Sequence, residues 1–223
     1  MTHPRIYAAM LLLLGLPCMA QAQQKFELTK VYLERNVMDK DAEVKFEAIG
    51  GKGGMKSLKV VAPDGRTVVD FSTPGSKMGM RHLSLESPEP KNDGTVQADF
   101  PAGAYLFTGM GADGATLEAK AVLSHKFPDA TAFVRPQPDA KNVPVKGMQV
   151  SWKLLKGIDS HIVVIEDEAS GRNLKVSLSG GTSVFAVPDG FLQPGVGYKL
   201  AVGTVAKDGN SSFIETGFTT ARK

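Results

Sequence analysis

Residues 192–202 of this 223-residue chain read LQPGVGYKLAV, a Pro-Gly turn that leads into a period-two pattern. Tyr198, Leu200 and Val202 share one parity, and apolar alternation of this kind predicts a β-strand with one buried face. A tyrosine at the start of such a strand can bury its ring and bond its hydroxyl group to nearby backbone. We therefore expect Tyr198 to be a structural residue of a β-sheet core.

The same alternation recurs along most of the chain. It is clearest in residues 43–48, 116–123, 148–153 and 174–178. Asp-Gly turns separate several of these segments, and together they indicate antiparallel hairpins with one buried face. No segment after residue 22 has a convincing helical stripe of apolar residues. The pattern predicts an all-β protein built from two tandem antiparallel β-sandwiches.

Prolines mark the boundary between the two halves. Pro128, Pro136 and Pro138 fall in a short segment, and proline both removes ladder donors and stiffens the backbone. We expect one domain over residues 23–128, a second over residues 129–223, and a short, semi-rigid connection between them.

The second half resembles a fibronectin type III domain over about residues 130–221. Trp152 stands where that family has the tryptophan of its second strand, and Leu192-x-Pro194-Gly195-x-x-Tyr198 is similar to the signature of its sixth strand. His161 takes a position that the family commonly fills with tyrosine. The resemblance implies a seven-stranded sandwich in which Trp152 and Tyr198 are structural.

The first half repeats the tyrosine arrangement in residues 100–105, FPAGAY, and we interpret it as an immunoglobulin-like sandwich with Tyr105 as a structural residue. The same region resembles the end of periplasmic copper carriers of the CopC type. That family has one histidine after the Asp-Gly turn and another near the mature N-terminus. This chain has Ala115 and Gln23 at those places, and both departures argue against copper.

The first 22 residues have the features of a secretory signal peptide. Arg5 precedes an apolar run over residues 7–16, and Ala20-Gln21-Ala22 fits a small-x-small cleavage site. The run is too short to span a bilayer. We expect export to a periplasmic or extracellular compartment, with no transmembrane segment after cleavage. Cys18, the single cysteine, would leave with the signal peptide unless it is lipidated.

Composition and motifs exclude several functional classes. The formal charge of +3 is too small to indicate nucleic-acid binding. There is no Gly-x-Ser-x-Gly nucleophile elbow, no His-Glu-x-x-His metal motif and no phosphate-binding glycine loop. We therefore do not expect an enzyme.

One pattern suits a soft metal. In a strand, Met78, Met80 and His82 would share one face, with Leu83 and Leu85 on the other. Thioether and imidazole ligands suit Cu(I). Methionines that simply pack beneath a neighbouring segment would give the same pattern. A copper site is thus the alternative function, and we expect no other cofactor.

The remaining polar candidates have structural interpretations. His125 shares the parity of an apolar strand and should point inward near the connection between domains, and packing accounts for His161. The acidic segments 39–43 and 166–168 do not have EF-hand spacing, and we interpret them as solvated turns.

These observations predict a non-catalytic binding or structural module of the cell envelope. Its partner would be a protein or another envelope component, and contact would occur through loops or a sheet edge. The loops over residues 50–54 and 72–82 are the candidate contact regions, because neither has a core pattern.

Overall fold

The computed structural model describes residues 24–167 and 169–222. The expected signal peptide, Cys18 and Glu168 lie outside these residues. The elements in chain order are β1 (Leu28–Asn36), β2 (Asp41–Ile49), β3 (Met55–Val61), β4 (Thr67–Ser72), β5 (His82–Glu86), α1 (Asp93–Asp99), β6 (Gly103–Gly111), β7 (Thr116–Leu123), β8 (Phe133–Arg135), β9 (Ala140–Val143), β10 (Gln149–Trp152), β11 (Ser160–Asp167), β12 (Asn173–Ser179), β13 (Val184–Ala186), β14 (Gly197–Val205) and β15 (Ser211–Thr220).

The strands confirm the predicted all-β class with sandwich-like sheets. The alternation that predicted them is visible as burial: along β11, His161, Val163 and Ile165 are fully buried while the residues between them are partly exposed. The one helix within residues 24–222 as described, α1, buries only Val96 and begins after Asn92, whose side chain accepts a hydrogen bond from the N–H of Gly94. None of the helices in the described ranges is long and apolar enough to cross a membrane.

The first core lies between two layers. One layer is the four-stranded sheet β4-β3-β6-β7, and the other consists of β1, β2 and β5. Apolar side chains of both layers meet in a single cluster, for example Leu33 and Phe46 from one layer and Leu58 and Phe107 from the other. Burial of these residues supplies most of the stabilisation of this half.

The second core is a separate cluster. It lies between the three-stranded sheet β13-β10-β8 and the strands β12, β11, β14 and β15. Trp152, Ile165, Tyr198 and Phe218 are its large members, and the rings of Tyr198 and Phe218 stack at 5.4 Å between centroids.

One sheet is shared by the two halves and joins them. The sequence did not predict this shared sheet. The first strand, β1, pairs in parallel with the last strand, β15, and aligns Glu34 with Ser211 and Asn36 with Phe213. One sheet therefore runs β12-β11-β14-β15-β1-β2-β5 through both halves, with β9 attached to β15. The domain limits at residues 128 and 129 stay a prediction.

Candidate functional site: the seam and the loop surface

The seam between the two halves centres on Asn210, which is 1% exposed. Its Oδ1 accepts a hydrogen bond from the N–H of Leu33 at 2.8 Å, and its Nδ2 donates to the carbonyl oxygens of Ser124 at 2.9 Å and Lys126 at 3.0 Å. One buried amide thus ties together β1, the turn that leads into β15 and the segment that leaves β7. Such a group is stabilising only while its partners are present, because a buried polar group without them is costly.

The connecting segment is also bonded to the second half directly. The hydroxyl groups of Ser212 and Thr204 donate to the carbonyl oxygens of Pro128 at 2.7 Å and Asp129 at 2.8 Å. Arg35, from β1, donates through Nε to Ser212 Oγ at 2.9 Å, and its guanidinium group lies 4.6 Å from the centroid of the Phe127 ring. Stiff prolines and buried hydrogen bonds act together to fix the angle between the halves.

A charged cleft of about 230 Å³ opens beside the seam. The first half contributes Glu34, Asp39 and Glu43, and the second half contributes Glu166, Lys199 and Glu215. Acidic side chains outnumber basic ones in its lining. The described residues nevertheless contain no group of three or more His, Cys, Asp or Glu arranged to hold a metal ion.

Lys45 forms ion pairs with three glutamates next to this cleft. Its Nζ lies 3.0 Å from Glu43 Oε1, 3.2 Å from Glu34 Oε1 and 3.5 Å from Glu86 Oε2. Glu43 is only 4% exposed, and burial raises its pKa to about 7 although Lys45 opposes the shift. Burial lowers the pKa of Lys45, but the attraction of Glu34 and Glu43 outweighs it, so the net direction is upward. A carboxyl group that titrates near neutral pH therefore lies at the junction.

The two loops proposed from the sequence lie against each other. Met55 and Met80 exchange backbone hydrogen bonds, both at 2.7 Å, and the N–H of Gly50 donates to the carbonyl oxygen of Arg81 at 3.0 Å. Gly79 has a φ of +69°, and a Cβ atom there would collide with the carbonyl oxygen of Met55. Residues 50–54 and 72–82 thus form one continuous surface, which we name the loop surface.

The loop surface lies far from the seam. β2 begins at Asp41 beside the charged cleft and ends at Ile49 beside the loop surface. The eight residue steps of extended strand from Asp41 to Ile49 separate these points by about 27 Å. The two regions therefore occupy opposite ends of the first sandwich.

The strand that would place Met78, Met80 and His82 on one face does not form. β5 begins only at His82, opposite Ile49 in the large sheet, whereas Met80 pairs with Met55 of the four-stranded sheet. The positive φ of Gly79 ends the extended pattern between the two methionines. Met78 is 79% exposed and Met80 is 46% exposed, so both thioethers face solvent. Their assignment as metal ligands stays a prediction.

The other two candidate histidines are engaged in packing. His125 Nε2 lies 2.9 Å from the carbonyl oxygen of Phe100, just beyond the end of β7. His161 is fully buried, with its ring 5.3 Å from that of Trp152, and burial lowers its pKa. Trp152 Nε1 and His161 Nε2 have no hydrogen-bond partner among the described residues.

Both structural tyrosines bond nearby backbone. Tyr105 is fully buried, and its hydroxyl group donates to the carbonyl oxygen of Pro101 at 3.0 Å. Tyr198 is 1% exposed, and its hydroxyl oxygen accepts from the N–H of Gln193 at 2.8 Å. Each tyrosine fastens the turn before its strand to the core.

Comparison with known proteins gives likenesses in structure only. No family model and no curated protein matches the chain. Fibronectin(III)-like modules of CbhA from Clostridium thermocellum align over 87% of this chain and 91% of theirs, with 10% identity and a TM-score of 0.37. A two-domain fibronectin type III segment of chicken tenascin aligns over 87% and 99%, with 15% identity and a TM-score of 0.32. Chicken CNTN1 FN1-FN3 domains align over 91% and 66%, with 12% identity and a TM-score of 0.36. The strand pairing within this chain establishes its fold independently of these likenesses.

Proposed function

We propose that the chain is an exported, non-catalytic binding or structural module of the cell envelope that presents the loop surface to a protein or another envelope component. The observation that carries this proposal is the set of backbone hydrogen bonds at both ends of the 50–54 loop, from Gly50 to Arg81 and between Met55 and Met80, which makes one surface of two separate loops. Loops held on a rigid scaffold are suited to recognition, because little conformational entropy is lost when they bind.

The seam supports this role mechanically. The buried amide of Asn210 and the shared sheet tie the second sandwich to the first, so the second sandwich can act as a rigid stalk. The loop surface then projects from the far end of a two-sandwich body, away from the charged cleft.

Site-specific photo-crosslinking in the exporting cell tests the proposal. A photoreactive residue replaces Lys52 or Lys77 in the loop surface, and a matched variant replaces Lys156, an exposed lysine in a loop of the second half. We expect a discrete cross-linked product in the envelope fraction from the first two positions and not from the third. Equal products from all three positions, or a protein that stays in the cytoplasm, would count against the proposal.

A second candidate function is Cu(I) binding. The solvent exposure of the Met78 and Met80 thioethers, close in sequence to exposed His82, favours it over a purely structural role for these residues. Titration with Cu(I) against a competing chelator is the test. Equal affinity in the wild type and a Met80→Ala, His82→Ala variant would eliminate this ligand set.

A further inference from the structure

β12 is an open edge of the large sheet. Among the described residues it pairs with β11 alone, over seven consecutive residue pairs without a bulge. Of the common means of protecting a sheet edge, it has neither a proline nor a β-bulge, and its one charged residue is Lys175. The other edge of this sheet, β5, is five residues long and is followed by Pro88 and Pro90. β12 is therefore the edge best formed to accept another strand.

The direction of its free backbone groups follows from two hydrogen bonds. The N–H of Asp167 donates to the carbonyl oxygen of Arg172, and the N–H of Gly180 donates to that of Asp159. The direction of backbone bonding alternates along a strand, so the even-numbered residues of β12 bond β11. The N–H and C=O groups of Asn173, Lys175 and Ser177 then lie in the plane of the sheet and point outward from its open edge, away from β11.

We propose that two copies of this chain pair through β12, antiparallel, about a twofold axis at Val176. In that register Lys175 lies opposite Ser177 of the second copy, and Asn173 lies opposite Ser179. All four are odd-numbered residues, so free donors meet free acceptors along the edge. Identical surfaces related by a twofold axis complete each other, which is the usual geometry of a homodimer.

An axis at Val176, the midpoint of β12, pairs all seven of its residues, and charge disfavours the neighbouring register centred on Lys175. An axis at Lys175 would place two lysine side chains directly opposite each other, and like charges in that position are destabilising. With the axis at Val176, each Lys175 lies opposite Ser177 of the other copy. Lys175 is exposed and points to the solvent side of the sheet, so pairing does not bury its charge.

The inner side of the edge also fits a second copy. Leu174, Val176 and Leu178 point toward the core but are only partly buried, and Val176 and Leu178 pack on the second core cluster. In the proposed register Val176 meets Val176, and Leu174 meets Leu178 of the other copy. The apolar layer of each sandwich therefore continues into that of its neighbour.

Sedimentation across a concentration series tests the pairing with a backbone variant. Ser177→Pro removes a donor that points to the open edge and leaves the bonds to β11 in place, whereas Ser177→Thr keeps the donor. We expect the mass of wild-type and Ser177→Thr protein to rise toward that of a dimer between roughly 10 µM and 1 mM, as for a small interface. In Ser177→Pro the association should be at least tenfold weaker, with an unchanged circular dichroism spectrum. A wild-type protein that stays monomeric would overturn the proposal, and so would a folded Ser177→Pro variant that still dimerises.

Disulfide trapping tests the register independently of the proline variant. In a Cys18→Ser background, Val176→Cys places two thiols in a non-hydrogen-bonded pair, whose Cα separation of about 4.5 Å suits a disulfide. Leu178→Cys is the control, because it faces Leu174 of the second copy. We expect oxidised dimer from the first variant and not from the second. Equal cross-linking would contradict the register. The loop surface is not involved, so failure here leaves the proposed function untouched.

Discussion

Asn210 Oδ1 and the backbone N–H of Leu33 lie 2.8 Å apart although 177 residues separate them in sequence. The contact joins the strand that opens the first sandwich to the strand that closes the second. Together with the parallel ladder and the hydrogen bonds of the connecting segment, it fixes the angle between the halves. A two-domain chain linked only by prolines would lack this constraint.

Replacing Asn210 with aspartate should weaken the seam. The carboxylate keeps an acceptor for Leu33 but loses both donors, and it brings a charge against the carbonyl oxygens of Ser124 and Lys126. We expect a loss of about 2–3 kcal/mol in the free energy of unfolding, measured by urea titration. The control is Asn142→Asp, the same change at an exposed residue, which should stay within about 0.5 kcal/mol. Equal losses would show that charge alone is responsible.

Replacing Glu43 with glutamine should change how stability depends on pH. The pKa of Glu43 is about 7 in the folded protein against an ordinary value of 4.5, so the folded state holds more protons between these values. Stability contributed by this group is therefore lost as pH rises through that window. The Glu43→Gln substitution removes the loss, and we expect this variant to be more stable than wild type at pH 8 by roughly 1–2 kcal/mol. Glu118→Gln, at an exposed position, is the control. Identical profiles for wild type and Glu43→Gln would contradict the role of burial.

Replacing His161 with phenylalanine should stabilise the second core. The buried ring has an Nε2 atom without a described partner, and burial holds its pKa below 6.5. The unfolded chain thus takes up a proton that the folded state resists, and stability falls as pH falls below 6.5. We expect His161→Phe to gain roughly 1 kcal/mol at neutral pH and more at pH 5. His82→Phe, at an exposed site, should show no such gain. A pH profile parallel to that of wild type would argue that His161 is satisfied in solution.

The sequence carries enough information to predict the strands, and the burial of Tyr198 with its hydroxyl group bonded to nearby backbone. Alternation is a local property, and it survives as burial in β2, β11 and β12, whereas β14 is buried without interruption from Leu200 to Thr204. The turn before Tyr198 is likewise local, since the bonded N–H of Gln193 is five residues away. Features set by near neighbours in sequence can therefore be predicted from the sequence alone.

The sequence did not predict the seam, α1 or the course of the loop over residues 72–82, and the reason differs for each. The β1–β15 ladder depends on residues that meet only after both cores form. α1 has seven residues and one buried side chain, too few for a helical stripe. The methionine pattern alternates as a strand does, and Gly79, between Met78 and Met80, was the one local signal against a strand.

Replacing Gly79 with alanine should disrupt the loop surface, whereas the same change at Gly75 in the same loop should not. Gly79 has a φ of +69° and would press its new Cβ against the carbonyl oxygen of Met55, while Gly75 has no atom within 4 Å of that position. We expect Gly79→Ala to lose about 1–3 kcal/mol, from left-handed backbone strain and the displaced Met55–Met80 bonds. Hydrogen exchange of the Met55 and Met80 amides should accelerate in Gly79→Ala alone, because those amides hold the two loops together. If both variants exchange at the wild-type rate, the two loops are not one surface, and the function proposed for them loses its structural basis.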